Sequence, residues 1–288
     1  MSGNSIFRIR PMDIKDLKRA LELSSSEGWN QTERDWRLLI ENPLNTCIVA
    51  EQNNKVIGTA TALNHSKEVG WIGMVLVDKS YRGQGAGKML LTNIIDLLPE
   101  VKSIKLDATP AGEPLYRKLG FTEERKIHRM TNPSSGKPGK DIFGLEPVNL
   151  DRESLSDVLK LDRVLFGADR SYLLRTLYEA YPGKAFLIRK NGRLEGYVLG
   201  RDGTRFNQIG PLFAFSPDTA MSLFIKASES LFNKPVVLDV PEDKADFTAW
   251  LETAGFVKQR HFIRMYLNNN SYQGRPGYQY LIAGPEFG

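Results

Sequence analysis

Residues 75–88 of the chain read VLVDKSYRGQGAGK. The first three residues are an apolar run typical of a buried strand, and the glycine-rich stretch from Gly83 to Gly87 leads into a helical pattern. Glycines let a ligand approach the backbone closely, and the free N–H groups at a helix start favour negative charge. The segment therefore predicts a strand, a turn and a helix start that binds a diphosphate. A glycine-rich turn that serves only backbone geometry is the alternative interpretation.

Two common nucleotide-binding patterns are absent from this segment. Walker A requires Gly-Lys-Ser/Thr after four intervening residues, and the dinucleotide motif needs an acidic residue about 20 residues further on. Residues 82–88 have neither spacing. ATP and NAD are therefore not the expected ligands.

Composition limits the class of protein. The chain has 288 residues with 39 Lys plus Arg and 34 Asp plus Glu, which suggests about two globular domains and a mild positive charge. That charge suits a phosphate-bearing ligand but is too small for a nucleic-acid surface. The single cysteine and three scattered histidines predict neither a disulfide nor a metal site. With no apolar run near 18 residues, we expect no signal peptide, no membrane span and a cytoplasmic location.

Apolar periodicity predicts alternating strands and helices in the first part of the chain. Strands are expected at 6–10, 46–51, 56–64, 71–77, 103–108 and from Phe121. Helices are expected after Asp13, from Thr32, after Gly87 and, in a short form, from about Pro114.

A boundary is expected at residues 131–140, which read TNPSSGKPGK and have the composition of a linker. We place an N-terminal domain at 1–132, a linker at 133–140 and a C-terminal domain at 141–288. Beyond the linker we expect a strand near 143–150, helices near 154–166 and 169–180, and a hairpin that turns at Asn191-Gly192.

The two parts resemble each other in outline. Three short segments recur in order, at separations that stay between 135 and 138 residues. They are Gly58-Thr59-Ala60 with Gly196-Tyr197-Val198, Ile72-Gly73 with Ile209-Gly210, and Gly120-Phe121 with Gly255-Phe256. This near-constant separation predicts a tandem duplication of one α/β unit.

The stretch Arg82-Gly83-Gln84-Gly85-Ala86-Gly87 resembles the Arg/Gln-x-x-Gly-x-Gly/Ala signature of the GNAT superfamily of acetyl-CoA-dependent N-acetyltransferases. Downstream, Tyr116 with Gly120-Phe121 is similar to the family's Tyr-x-x-x-Gly-Phe segment. The resemblance covers residues 6–130, and the second part resembles the degenerate repeat of a tandem subgroup. It implies an α/β (α+β) fold of two tandem GNAT-like domains, each with a mixed, mostly antiparallel sheet flanked by helices.

The same resemblance implies acetyl-CoA as co-substrate. The diphosphate is expected on the backbone of Arg82, Gly83, Gln84, Gly85, Ala86, Gly87 and Lys88. The pantetheine arm is expected beside Val75, Leu76 and Val77, where sheets of this family splay apart and free N–H groups could stabilise an oxyanion. Tyr116 is expected to bind the CoA sulfur and protonate the departing thiolate, with ordinary helix packing as its alternative role.

The candidates for the general base and the acceptor site lie outside these two motifs. Residues 70–77 contain no carboxylate where many family members use a glutamate, so Asp107 and His65 are the candidate bases, and either could instead be a turn or surface residue. Trp29 and Asn30 are expected to line the acceptor pocket, with a packing tryptophan and a helix cap at Thr32 as the alternative interpretation. Thr109-Pro110 replaces the asparagine with which many members contact CoA.

The second copy lacks the motif residues. Ser216-Pro217-Asp218 stands where the first copy has its glycine-rich loop, and Leu251 aligns with Tyr116. We therefore expect this copy to be structural and to cover the acceptor cleft.

These observations predict an N-acetyltransferase that acts on a primary amine of a small molecule, such as an amino acid, a polyamine or a related metabolite, by direct attack in a ternary complex. A non-catalytic acyl-CoA-binding sensor and a protein N-terminal or lysine acetyltransferase remain as alternatives. The expected partner is the amine acceptor, with no nucleic acid or membrane, and the chain is expected to be a monomer or a homodimer.

Overall fold

The computed structural model describes residues 7–136 and 144–288 of the chain. Its first half contains β1 (Arg8–Pro11), α1 (Leu17–Ser26), α2 (Glu33–Glu41), β2 (Thr46–Gln52), β3 (Lys55–His65), β4 (Val69–Val77), α3 (Ala86–Asp96), β5 (Ser103–Ala108), α4 (Glu113–Lys118) and β6 (Thr122–Asn132). Its second half contains β7 (Val148–Asn149), α5 (Arg152–Phe166), α6 (Ser171–Ala180), β8 (Phe186–Lys190), β9 (Arg193–Arg201), β10 (Asn207–Ala214), α7 (Pro217–Ser228), β11 (Val236–Pro241), α8 (Ala245–Thr253), β12 (Val257–Leu267) and β13 (Gln279–Leu281). The predicted linker lies partly outside the described residues.

Local sequence signals explain several element boundaries. Thr32 caps α2 through a reciprocal pair of bonds with Asp35, whose backbone N–H and carboxylate both take part. The Asn191-Gly192 turn joins β8 and β9 with both residues at positive φ, as a tight hairpin turn requires. The predicted hairpin is therefore confirmed.

All thirteen strands belong to one sheet. The order is β1-β2-β3-β4-β5-β12-β6-β11-β10-β9-β8-β7, with β13 paired to β10. Only the β4–β5 and β10–β11 pairs are parallel among the strands described, so the sheet is mixed and mostly antiparallel, as expected. Helices α1, α2, α5 and α6 share one apolar core, while α3 packs in a second core and α7 and α8 in a third. Adjacent strand residues alternate between these cores, so helices cover both faces of the sheet.

The halves exchange one strand each. Strand β6, from the first half, lies between β12 and β11, and its Met130 belongs to the apolar core of the second half. Strand β12, from the second half, pairs with β5, and its Ile263 and Met265 belong to the core of the first half. The boundary placed at 133–140 therefore follows a strand whose neighbours on both sides come from the other half.

None of the described helices combines the length and the apolar character needed to cross a membrane. The described residues also contain no group of three or more His, Cys, Asp or Glu side chains that could hold a metal ion.

Candidate active site

Strands β4 and β5 diverge in the middle of the first half. They pair from Val69 to Ile72 against residues 103–106, and their pairing in the described structure ends there. Residues 73–77 of β4 continue beside β3, and the other edge of this stretch pairs with none of the described strands. A cavity of about 850 Å³ lies in the gap. The predicted opening beside Val75 to Val77 is therefore at this position.

A bulge in β4 marks the point of divergence. The register with β3 shifts between Thr59 and Thr61, and Met74 adopts a φ of 50°. The Thr59 hydroxyl donates to the Met74 carbonyl at 2.7 Å, and the Thr61 hydroxyl donates to the Gly73 carbonyl at 3.1 Å. These bonds hold a backbone conformation that side-chain-bearing residues rarely adopt. A bulge bends its strand, which explains why β4 leaves β5 here.

The glycine-rich loop forms the end of the cavity at the start of α3. Gly83 and Gly85 have φ of 76° and 89°, and a Cβ built on either would meet no atom within 4 Å. Both positions thus need glycine for their backbone conformation, and the space before them is open. Every predicted cofactor residue lines the cavity except Gln84, whose amide lies 3.5 Å from the Ser80 carbonyl.

Tyr116, on α4, also lines this cavity. Its ring packs edge-on against Phe121 at 5.9 Å between centroids, and a Cβ on Gly112 would come within 2.9 Å of it. Burial raises the pKa of Tyr116 to about 12. The hydroxyl therefore stays protonated near neutral pH and can act as a hydrogen-bond donor.

The two candidate bases have different surroundings. Asp107 lines the cavity, but Arg264 donates to both of its oxygens, at 2.9 and 3.0 Å. His65 is not among the cavity residues; it is 2% exposed and its ring meets Phe166 edge-on. Burial lowers the pKa of His65 to about 3. The geometry favours structural roles for both, because Arg264 binds both Asp107 oxygens and His65 does not line the cavity.

The two predicted acceptor residues are separated by the structure. Trp29 lines the cavity, whereas Asn30 does not. The Asn30 amide donates to the Phe206 carbonyl and accepts from the backbone N–H groups of Arg205 and Phe206, at 2.9–3.0 Å. Asn30 therefore fastens the α1–α2 connection to a loop of the second half, and its predicted contact with an acceptor has no support from this geometry.

Sequence reasoning missed a set of residues that line the same cavity as Trp29. They are Gln31, Arg129, Arg260, Phe262, Pro285 and Glu286. Glu286 is only 3% exposed and accepts a hydrogen bond from the Gln31 amide at 2.9 Å. A Cβ on Gly73 would lie 3.0 Å from the Glu286 Cα, so the glycine in β4 admits this segment. The carboxylate that residues 70–77 lack is thus supplied from the other end of the chain.

A buried network of charged and amide groups connects Glu286 with Arg129. Arg201 pairs with Asp35 at 2.9 Å and with Glu286, and it also donates to the Gln208 amide oxygen at 3.0 Å. Gln208 donates to Asp239 at 2.8 Å, and Asp239 pairs with Arg129 through two further bonds. Each member is held by a neighbour, which fixes the Glu286 carboxylate in place.

The second half contains the equivalent gap, and the chain itself fills it. Strands β10 and β11 pair only at Asn207 and Gln208 in the described structure, and β13 then pairs with β10 at Leu212 and Phe213. The backbone N–H of Ile282 donates to the Asp239 carbonyl of β11 at 3.1 Å. Beyond β13, the same segment continues to Pro285 and Glu286 in the first cavity.

Comparison with known proteins agrees with this architecture. The profile of the acetyltransferase (GNAT) family matches residues 14–121, and that of an acetyltransferase (GNAT) domain matches residues 158–281. The chain is similar, at 29% identity over 187 residues, to the uncharacterized N-acetyltransferase YitH of Bacillus subtilis, covering 65% of this chain and 66% of that protein. It is 31% identical over 88 residues to the glucosamine 6-phosphate N-acetyltransferase of Trypanosoma brucei brucei, covering 28% of this chain and 60% of that enzyme.

A solved structure extends the likeness to the whole fold. A Pyrococcus horikoshii protein assigned to the acetyltransferases superposes with a TM-score of 0.80 at 22% identity, over 99% of this chain and 96% of that one. The chain spans less than two thirds of the length of the two curated relatives. The two family matches together cover most of the sequence, so the chain belongs to the GNAT acetyltransferase family and carries two domains of that family in tandem. The resemblance predicted from the motifs is confirmed.

Proposed function

We propose that the chain transfers the acetyl group of acetyl-CoA to a primary amine of a small molecule, at the first-half cavity. The observation that carries this proposal is the union of three features in one cavity: the free edge of β4, the glycine-rich start of α3 and Tyr116. Each would serve a different part of an acetyl transfer. The second-half gap is filled by β13, which supports a single working site.

The cavity residues fit acetyl-CoA. The open space before Gly83 and Gly85 and the first N–H groups of α3 suit the diphosphate, because a helix start favours negative charge. Lys88 adds a positive charge on the same wall. The unpaired edge of β4 from Gly73 to Val77 would bind the pantetheine amides as an added strand, and its N–H groups would stabilise charge on the thioester oxygen.

Glu286 is our candidate for the general base. An alkylammonium must lose a proton before its nitrogen can attack the thioester carbon, and a fixed carboxylate in the cavity wall can accept that proton directly or through a water. Glu286 takes the ammonium proton before attack; as the nitrogen–carbon bond then forms and the carbon–sulfur bond breaks, the nitrogen releases its second proton to solvent water and CoA leaves as the thiolate. Gln31 lies beside it, with its amide oxygen buried and unpartnered in the described structure, and could accept a second hydrogen of the amine.

Tyr116 would stabilise the leaving sulfur by donating a hydrogen bond. With a pKa of about 12, full proton transfer to a thiolate of pKa near 8.5 would be uphill by roughly 5 kcal/mol. A tyrosine of this acidity therefore serves better as a donor to the thiolate than as the acid that finally protonates it.

The acceptor we infer is small because the cavity is partly closed. Trp29 and the segment at Pro285 and Glu286 line the same cavity of about 850 Å³ that would hold the acyl-CoA, which limits room for a peptide backbone. A similar protein is named for a small phosphorylated amino sugar as its acceptor. We retain the cytoplasm as the proposed location, and burial that raises the pKa of Cys47 to about 12 makes this lone thiol unreactive.

A screen of amino acids, polyamines, amino sugars and short peptides, monitored by release of free CoA thiol, tests the proposal. We expect turnover with at least one small amine and none with peptides. Acetyl-CoA that binds without thiol release above background would favour a sensor. Turnover confined to peptide amines would favour a protein acetyltransferase.

A further inference from the structure

Arg260 differs from the other arginines near the cavity. It lies on β12 opposite Arg129 of β6, and it lines the end of the cavity formed with Glu286. Arg129, Arg201 and Arg264 each pair with a carboxylate at 2.9 Å or less. Arg260 forms no ion pair within the described residues, and its Nε atom is buried without a hydrogen-bond partner.

The surroundings of Arg260 make this unpaired charge costly. The Phe262 ring, centred 5.0 Å from the Arg260 guanidinium carbon, offsets part of this cost, but the same ring also contacts Arg129 at 5.0 Å. Burial, assisted by the positive charge of Arg129, lowers the pKa of Arg260. The negative charges of Asp239 and Glu286 oppose this shift without reversing it, because Asp239 already binds Arg129 through both oxygens and Glu286 is paired with Arg201. A partly buried cation of this kind is stabilised when an anion pairs with it.

The cavity wall near Arg260 also carries hydrogen-bond acceptors that suit an amine. Glu286 is fixed beside the Gln31 amide, and the Gln31 oxygen has no partner in the described structure. A molecule that satisfies both sets of groups needs an amine for Glu286 and Gln31 and an anion for Arg260. A polyamine satisfies only the first set.

We propose that the acceptor amine carries an anionic group, a carboxylate or a phosphate, that pairs with Arg260. This inference rests on the proposed function, since it assigns the substrate class of the same site. Arginine suits either anion because its planar fork of N–H donors matches two acceptor oxygens.

Matched pairs of amines test this assignment. The first pair is glucosamine 6-phosphate with glucosamine, and the second is 2,4-diaminobutyrate with 1,3-diaminopropane, its decarboxylated counterpart. Each is assayed by thiol release with the wild type, Arg260→Gln and Arg260→Lys. Lys258→Gln is the matched control, because it removes a positive charge from an exposed position on the same strand. Calorimetric binding of the four amines and of acetyl-CoA is measured in parallel.

We expect the anionic member of at least one pair to have a kcat/KM at least tenfold higher. Arg260→Gln should lower that value roughly 10- to 100-fold and leave the member without the anionic group within about twofold, as expected for a charged hydrogen bond. Arg260→Lys should retain part of the preference, and Lys258→Gln should retain all of it. The pair that responds identifies the anion as phosphate or carboxylate.

Three results would overturn the inference: equal use of both members of each pair, an equal loss for both members in Arg260→Gln, or a loss of acetyl-CoA affinity in that variant. Absence of turnover with every amine would instead contradict the proposed function. In that case, Arg260-dependent calorimetric binding of the anionic amines would still support the anion site, and its absence would overturn it.

Discussion

In the first half of the chain, β4 and β5 separate beyond Ile72 and leave a cavity of about 850 Å³ between them. In the second half, β10 and β11 separate beyond Gln208, and β13 lies against β10 in the gap. The two copies thus keep the same divergence of parallel strands, but the chain occupies one gap with its own backbone. In a duplicated fold, one gap between parallel strands can therefore be filled by a strand of the chain while the equivalent gap stays open for a ligand.

The helix starts differ in the same way. The residue before α3 is Gly85, which has a left-handed conformation and no capping side chain, so the first N–H groups of the helix are free for a ligand. The residue before α7 is Ser216, whose hydroxyl accepts from the Thr219 N–H, and the helix begins at Pro217, which has no N–H. The second helix start is satisfied internally and does not need an anion.

The largest expected effect is on acetyl-CoA binding, and it comes from matched substitutions at the two helix starts, of which only the one before α3 should change the affinity. Gly85→Leu should abolish measurable acetyl-CoA binding, because its φ of 89° strains an L-residue and the side chain would fill the open space. Ser216→Leu, at the corresponding position of α7, should cost about 1 kcal/mol of stability through loss of the cap and leave affinity unchanged. Calorimetry and thermal unfolding measure both. Equal binding by Gly85→Leu and the wild type would place the diphosphate elsewhere.

Glu286→Gln should give the next largest effect, a fall in kcat of roughly 10²- to 10⁴-fold with acetyl-CoA affinity unchanged. The variant must rely on amine that is already deprotonated, so its rate should rise about tenfold per pH unit up to the pKa of the acceptor. Stopped-time assays from pH 6 to pH 10 give this profile. A merely structural Glu286 would instead produce a lower unfolding temperature and an unaltered pH profile.

Tyr116→Phe should lower kcat by roughly 10- to 1,000-fold with little change in acetyl-CoA affinity, because the lost hydrogen bond forms as the sulfur leaves. Since the pKa of Tyr116 is about 12, the wild-type rate should show no decline from tyrosine ionisation below about pH 10. Steady-state assays over this range check both expectations. The aligned residue of the second half is Leu251, which has no hydroxyl. A wild-type rate in the Tyr116→Phe variant would remove the tyrosine from the mechanism.

The smallest effect concerns stability at the contact between the halves, where His65 of β3 meets Phe166 of α5. The pKa of His65 is about 3 in the folded chain and near 6.5 when unfolded, so only the unfolded chain gains a proton between these values. The free energy of unfolding should therefore fall as pH drops below 6.5, by about 2 kcal/mol at pH 5. Urea unfolding at pH 7.5 and pH 5 should give this extra loss in the wild type but not in His65→Leu. The same loss in both proteins would show that His65 does not titrate in this way.

The features that could be predicted from the sequence are those encoded by neighbouring residues. The strand before Asp78 and the glycines at 83 and 85 lie within one short stretch that indicates their elements, and the resemblance of the two motifs implied that Tyr116 shares their site. The duplication is visible because its separations hardly change along the chain.

The remaining features depend on contacts between residues that are distant in sequence. Glu286 reaches Gln31 across 255 positions, and no local spacing marks either residue. Arg260 enters the first cavity only because β12 lies between β5 and β6, and β13 is too short to have a periodicity. Asn30 is the converse case: a polar residue beside a cavity tryptophan suggested an acceptor contact, while its amide binds backbone of the second half.

The most direct test of the difference between the two gaps is a calorimetric titration of the full chain with acetyl-CoA. We expect one equivalent per chain for the wild type and no measurable binding for Gly85→Leu, because β13 fills the second gap. Two equivalents per chain, with one retained in Gly85→Leu, would contradict the account.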